Sequence, residues 1–126
     1  MKILVVEPEK RPEEREISGS LEEMQQLVGD YIQAIYPFKD EVALVCNDEG
    51  KLQGLPLNRA LRDDKGEPYD IISGTFFICA ASADSDSFQS LTDEQIGKYK
   101  ALFHSSEVFL NFGGQILCIP VDEASQ

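Results

Sequence analysis

Short apolar runs, each closed by a residue that interrupts regular structure, recur along this 126-residue chain. Ile3–Val6 is a continuous run of β-branched residues and Leu, and it predicts a buried first strand. Tyr69–Ala81 is the most hydrophobic stretch, and Ser73-Gly74 in its middle predicts a bend between two short strands. Further strands are predicted from similar runs at Arg15–Ile17, Tyr31–Tyr36, Glu41–Asn47 and Gln115–Val121. The first two strands of the chain are interpreted as a hairpin.

Two segments carry the start signals of an α-helix. Ser20 and Glu23 match a capping box, and the apolar residues that follow at helical spacing end at Gly29. Thr92 and Gln95 match a second capping box, which is typical of a helix start. The apolar face of this second helix is predicted at Ile96, Tyr99 and Phe103. Two capped helices among strands that do not alternate with them predict an α+β fold with a small, mostly antiparallel sheet.

The charge balance of the chain is strongly acidic. It carries 23 acidic and 11 basic residues, which gives a formal net charge of −12. Because binding to phosphates requires a basic stripe, this deficit of bases argues against direct binding to nucleic acid and to anionic membranes. The excess of acid favours solubility through net repulsion. The alternative is a protein that mimics polyanionic DNA.

The three cysteines each lie within an apolar run, at Cys46, Cys79 and Cys118. An odd number of thiols in such surroundings indicates free cysteines that are buried in the core of a protein from a reducing compartment. The apolar run at the N-terminus is too short for a signal peptide or a membrane span. We therefore predict a cytoplasmic protein.

The sequence contains one histidine, His104, and no spacing that is typical of a metal site. His104 follows the second predicted helix, where an imidazole interacts favourably with the helix C-terminus. Neither Cys-x-x-Cys nor His-x-x-x-His occurs, and Gly113-Gly114 lacks the Lys and Ser or Thr of a phosphate-binding loop. We therefore predict no metal, no cofactor and no catalytic residue, which favours a protein that is not an enzyme.

The segment from Leu55 to Tyr69 is the only basic neighbourhood of the chain. Leu55–Arg62 has an ambiguous period and is interpreted as an irregular segment that ends in one helical turn. On such a turn Arg59 and Arg62, three residues apart, would project side by side and bind a phosphate, a carboxylate or an acidic partner. The predicted ligand- or partner-binding residues are Asn58, Arg59, Arg62 and Tyr69. The alternative is internal neutralisation of these bases by Asp63, Asp64, Glu67 and Asp70.

The block Leu55–Arg62, together with Tyr69–Cys79, resembles the domain-of-unknown-function family numbered 3846. This family comprises small proteins encoded in phages and in bacterial conjugative elements. Further matching segments are Lys2–Pro8, Tyr36–Phe38 and Ser90–Gln95. The resemblance covers residues 1–103, which we interpret as one α+β domain, and residues 104–126 are interpreted as a C-terminal extension with an extra strand. The family has no established activity, so the resemblance implies a setting in mobile elements and no catalytic or binding residue.

These observations favour a non-enzymatic accessory or interaction protein of a mobile genetic element, with a protein as its partner. One alternative is an anti-restriction factor whose acidic surface mimics DNA. Another is a protein that binds or acts on a small molecule or nucleotide at the Arg59/Arg62 segment. If Gln115–Val121 is an exposed edge strand, pairing with its copy in a second chain predicts a homodimer.

Overall fold

A five-stranded antiparallel sheet lies at the centre of the protein in the computed structural model, which describes residues 1–29, 31–51 and 53–121. Nine strands and two helices occur in this described part of the chain. The strands are β1 (Lys2–Val6), β2 (Glu13–Glu16), β3 (Ile32–Ile35), β4 (Val42–Asn47), β5 (Leu57–Arg62), β6 (Pro68–Ser73), β7 (Phe76–Ala80), β8 (Ser106–Phe112) and β9 (Gln115–Val121). The helices are α1 (Leu21–Val28) and α2 (Asp93–Leu102). The predicted α+β fold is confirmed.

The central sheet has the order β2-β1-β7-β4-β3, and every neighbouring pair is antiparallel. The predicted hairpin of the first two strands is confirmed by the pairing of β1 with β2. The predicted division of Tyr69–Ala81 is also confirmed, since β6 and β7 are separate strands in different sheets. Gly74 lies between them at φ 79°, and a Cβ atom there would lie 2.7 Å from Leu55 Cδ1. The positive φ favours glycine at the bend, since other residues would be strained there.

Side chains alternate between the two faces of the central sheet and build one apolar cluster on each face. On the first face, Leu4 and Val6 pack with the buried side of α2, where Tyr99 and Phe103 lie. On the second face, Ile3 and its neighbours pack with the buried residues of α1. The sheet is thus covered by a helix on each side, and the predicted apolar face of α2 is confirmed.

The helix starts differ in how they satisfy their backbone donors. At α2 the predicted capping box is confirmed, since the Thr92 hydroxyl accepts from the Gln95 amide and the Gln95 side chain accepts from the Thr92 amide. At α1 the prediction is wrong in one half. The Ser20 hydroxyl accepts from the Glu23 amide, but the Glu23 carboxylate accepts from the amide of Ser18. Glu23 therefore reaches two residues further back than a capping box requires.

The strands β5 and β6 form a separate two-stranded sheet that lies against the α2 side of the core. The predicted irregular segment with a helical turn over Leu55–Arg62 is therefore wrong, because residues from Leu57 onwards form a strand. The physical reason is the pairing with β6, which satisfies the backbone while Leu61 and Ile72 pack into the core. Local propensity is overridden here by pairing with a distant segment.

The strands β8 and β9 form a second two-stranded sheet, in register from Ser106↔Val121 to Phe112↔Gln115. The predicted strand Gln115–Val121 is confirmed as β9. Gly113 and Gly114 form the turn, both with positive φ. The strand β9 pairs with β8, which begins soon after the end of α2. Residues 106–121 therefore form a complete hairpin, where the sequence predicted one added strand.

Candidate functional site

Asn58 lies at the start of β5 and is buried, with 1% of its surface exposed. Its amide nitrogen donates to the carbonyl oxygens of Val6 (2.8 Å) and Gly74 (2.9 Å). The side chain thus ties β5 to the end of β1 and to the bend between β6 and β7. An amide with both protons engaged in a closed core offers no donor to a ligand, so Asn58 has a structural role.

Arg59 is equally buried, with 1% of its surface exposed, although it is a charged residue. Its guanidinium donates to the carbonyl oxygen of Phe103 (3.1 and 3.3 Å) and to that of Lys10 (2.6 Å). It also donates to the side-chain oxygen of Asn58 at 2.8 Å. Phe103 caps the C-terminal end of α2, where a cation interacts favourably with the helix dipole. Arg59 therefore joins β5, the turn after β1 and the end of α2.

Arg62 contacts a different set of groups from those that Arg59 contacts. Its guanidinium forms an ion pair with the Glu107 carboxylate at 2.9 Å and donates to the Cys118 carbonyl at 2.9 Å. The prediction that the two arginines project side by side assumed a helical turn, in which residues three apart lie on one face. That premise is wrong, because Arg59 and Arg62 lie on a strand, where only every second side chain shares a face. A ligand pocket formed by both guanidinium groups is therefore not present as predicted.

Glu107 is the residue of this region that sequence reasoning missed. Its side chain is 5% exposed, and its second carboxylate oxygen accepts from the backbone amide of Ala60 at 2.9 Å. Glu107 thus fixes β8 to β5 through one ion pair and one charge-assisted hydrogen bond. One sequence feature could have indicated Glu107: it is the only charged residue between positions 106 and 121.

The predicted internal neutralisation involves the four acids Asp63, Asp64, Glu67 and Asp70, and they do not all have the same role. Asp70 does form an ion pair, at 2.8 Å, with Lys51. Asp63 instead accepts from the backbone amides of Lys65 and Glu67, which closes the turn between β5 and β6. Internal neutralisation of Arg62 is thus supplied by Glu107, from outside the predicted set.

Arg62 and Tyr69 are brought together in a cleft of about 360 Å³ between the β5–β6 turn and the end of α2. Tyr69 is exposed, whereas Arg62 is partly covered by its contacts with the hairpin. The apolar part of the lining includes Phe38, Leu61 and Leu102, and the acidic part consists of Asp63, Asp64 and Glu107. Apolar walls with a few polar groups are typical of small-molecule sites. Of the four predicted site residues, the cleft therefore includes two and excludes Asn58 and Arg59.

The thiols are poorly placed for nucleophilic chemistry. Burial raises the pKa of Cys46 to about 11 and that of Cys79 to about 12, so both are protonated at neutral pH. The prediction that all three cysteines lie in the core is wrong for Cys118, which is half-buried on β9. Its strand belongs to the hairpin outside the central sheet, where the core does not cover it.

The hairpin exposes an apolar surface that points away from β5. The outer face of β8–β9, as we name it, consists of Val108, Leu110, Phe112, Leu117 and Ile119, and their exposed fractions run from 43% to 75%. Val108 faces Ile119 and Leu110 faces Leu117 across the two strands. The sequence predicts the strand β9 but not that one of its faces is exposed, because a continuous apolar run is more typical of a strand buried on both sides.

Within residues 1–29, 31–51 and 53–121, no three His, Cys, Asp or Glu side chains lie close enough together to hold a metal ion. In the same residues, neither helix has the length and apolar character that crossing a membrane requires.

Comparison with known proteins identifies a family. No curated protein and no solved structure matches the chain. Residues 1–104 match a family described as a domain of unknown function, DUF3846, and the match ends just before β8 begins at Ser106. Because the match covers most of the 126 residues and agrees with the resemblance of the central block, the chain belongs to the DUF3846 family.

Proposed function

We propose that this chain is a non-enzymatic interaction protein and that the outer face of β8–β9 is its docking surface. The observation that supports the proposal is the exposure of five large apolar side chains on one face of one hairpin. Single exposed apolar residues are normal on protein surfaces, but a contiguous patch marks an interaction site in many proteins. The cysteine pattern supports a cytoplasmic setting, and the resemblance supports an accessory role in a mobile genetic element.

The contacts of the hairpin support docking on the outer face rather than on the inner one. The inner face is engaged near its base, where Glu107 binds Arg62 and the amide of Ala60, and towards the tip it exposes one large apolar side chain, Ile116. An isolated two-stranded hairpin is only marginally stable in water, and packing on another layer stabilises it. The outer face lacks that second layer within the described residues. A partner that covered it would gain the free energy of burying apolar surface.

A DNA mimic would require negative potential that is contiguous on one face. The described ion pairs intersperse bases among the acids, as Lys2 with Asp93, Lys51 with Asp70 and Lys98 with Asp40 illustrate. We therefore place docking through the apolar face ahead of DNA mimicry as the proposed function.

Site-specific photocrosslinking tests the main proposal. Benzoylphenylalanine replaces Phe112 on the outer face in the full chain, and in a matched control it replaces Leu21, an exposed apolar residue on α1. After irradiation in the native host, we expect a discrete adduct from position 112 that is absent from position 21. Adding Leu117→Glu should abolish that adduct. Equal yields from both positions, or no adduct from position 112, would contradict docking through this face.

A second candidate function is binding of a small phosphorylated molecule in the cleft beside Arg62 and Tyr69. The volume of about 360 Å³ and the apolar part of the lining favour a small-molecule site. A phosphate would have to displace Glu107 from Arg62 and bind near Asp63 and Asp64, which also line the cleft. The test is a thermal-shift panel of inorganic phosphate and nucleotides. A ligand that binds the folded chain stabilises it by about 2.7 kcal/mol at ~100 times its Kd. The thermal midpoint should therefore rise for the native chain and rise less for Tyr69→Ala. No shift across the panel would count against this candidate.

A further inference from the structure

We infer that the outer face of β8–β9 is the interface of a homodimer, in which the hairpins of two copies stack face to face. This inference rests on the proposed function and names the partner as a second copy of the same chain. It differs from the predicted pairing of β9 edges, because side chains rather than backbone groups make the contact.

The charge distribution is the first argument for a second copy. In a twofold dimer the same patch meets itself, so any acid on the docking face would approach its own copy. The outer face contains no charged residue, although the whole chain carries a net charge of −12. A basic partner would bind through electrostatic attraction to acids at the contact, and the outer face contains no acid. A charge-free face on an acidic protein therefore suits self-association better than binding to a basic protein.

The regular geometry of the hairpin is the second argument. Two strands of seven residues present a strip ~24 Å long, and stacked sheets pack about 10 Å apart with strands at about −30°. A twofold axis between the Val108–Ile119 and Leu110–Leu117 pairs would place Phe112 of one copy over the base of the other hairpin. The most exposed apolar side chain of the face, Phe112 at 75%, would thus be covered. The two hairpins together would form a four-stranded sandwich.

Stacking of the two outer faces is favoured over pairing of the two β9 edges. Within the described residues, β9 pairs only with β8, so its other side lies at a sheet edge. Pro120 has no backbone N–H and interrupts the donors along that edge. Side-chain stacking does not depend on those donors. The area of one such strip is smaller than the ~800 Å² per partner of a standard interface, so the dimer should dissociate on dilution.

Sedimentation velocity of the full chain, from about 1 µM to about 500 µM, tests the inference. We expect the mass to rise from 14.0 kDa towards twice that value as concentration increases. Val108→Glu/Leu110→Glu changes only β8 and places two carboxylates of each copy in the contact, so the midpoint concentration should rise at least ~10-fold. The matched control, Leu21→Glu/Tyr36→Glu, changes two exposed apolar residues elsewhere and should leave the midpoint unchanged.

Three results would overturn the homodimer. The first is a mass of 14.0 kDa at every concentration of the native chain. The second is an equal midpoint for the β8 variant and its control, and the third is a dimer that is lost only on changes to the β9 edge. Should circular dichroism show that the β8 variant is unfolded, Phe112→Ser takes its place, since Phe112 lies at the exposed tip. A monomeric native chain that still gives a photoadduct with another protein would refute the homodimer and leave the proposed function standing.

Discussion

At the scale of single residues, Arg59 is the least ordinary feature of the molecule, since a guanidinium lies fully inside the fold. Its donors bind the carbonyls of Lys10 and Phe103, which belong to two other elements. Arg59→Met keeps a long apolar side chain but removes these donors, and we expect the free energy of unfolding to fall by about 3 kcal/mol. Urea denaturation measures this loss. Lys65→Met in the exposed β5–β6 turn is the control, and an equal effect of both changes would contradict a structural role for Arg59.

The same residue shows where sequence reasoning stops. The strand β1 and the cap of α2 could be predicted, because their signals lie within a few neighbouring residues. The burial of Arg59 could not, since its acceptors lie 49 and 44 residues away along the chain. Likewise the partner of Arg62 is 45 residues distant. Four candidate residues were therefore predicted as one surface cluster, and the tertiary contacts divide them into two buried and two accessible side chains.

Asp40 supplies a prediction on pH dependence. Its carboxylate accepts from Lys98 and from the Tyr99 hydroxyl, and these hydrogen bonds lower the pKa of Asp40 below its usual value near 3.8. A carboxyl group with a lower pKa in the folded state stabilises the fold above its unfolded pKa and loses that contribution as pH falls through the folded pKa. Asp40→Asn should therefore be less stable than the native chain at pH 7, by a margin that shrinks below about pH 4. Urea denaturation across pH would contradict this if the margin stayed constant.

At the scale of elements, the Glu107 carboxylate makes two of the contacts that attach the β8–β9 hairpin to β5, beside the bond from Arg62 to the Cys118 carbonyl. Glu107→Ala removes the acceptor of the Ala60 amide and the ionic partner of Arg62. We expect the Ala60 amide to exchange with deuterium at least ~10-fold faster, because local opening then costs less free energy. Hydrogen exchange followed by NMR measures this, with Glu67→Ala as the control. Unchanged protection of Ala60 would show that other contacts fix the hairpin.

Elements differ in how far their sequences define them. The predicted strand β9 is correct because Gly113-Gly114 marks the turn before it. The sequence does not predict the strand β5, because Leu55, Leu57 and Leu61 fit neither a helical nor a strand period clearly. Its conformation is set by pairing with β6, which no local pattern within β5 records.

At the scale of the whole molecule, the net charge of −12 sets how association should respond to salt. Two copies repel each other through their summed charge, while the contact on the outer face is apolar. Raising the ionic strength from about 10 mM to about 150 mM shortens the Debye length from about 30 Å to about 8 Å and so screens the repulsion. The dimer fraction at a fixed chain concentration should therefore increase with salt. Sedimentation at the two salt concentrations measures it, and Val108→Glu/Leu110→Glu should stay near 14.0 kDa at both. A complex held by basic residues of a partner would weaken over the same range. A dimer fraction that falls as salt rises would thus contradict an apolar, charge-free contact between two acidic copies.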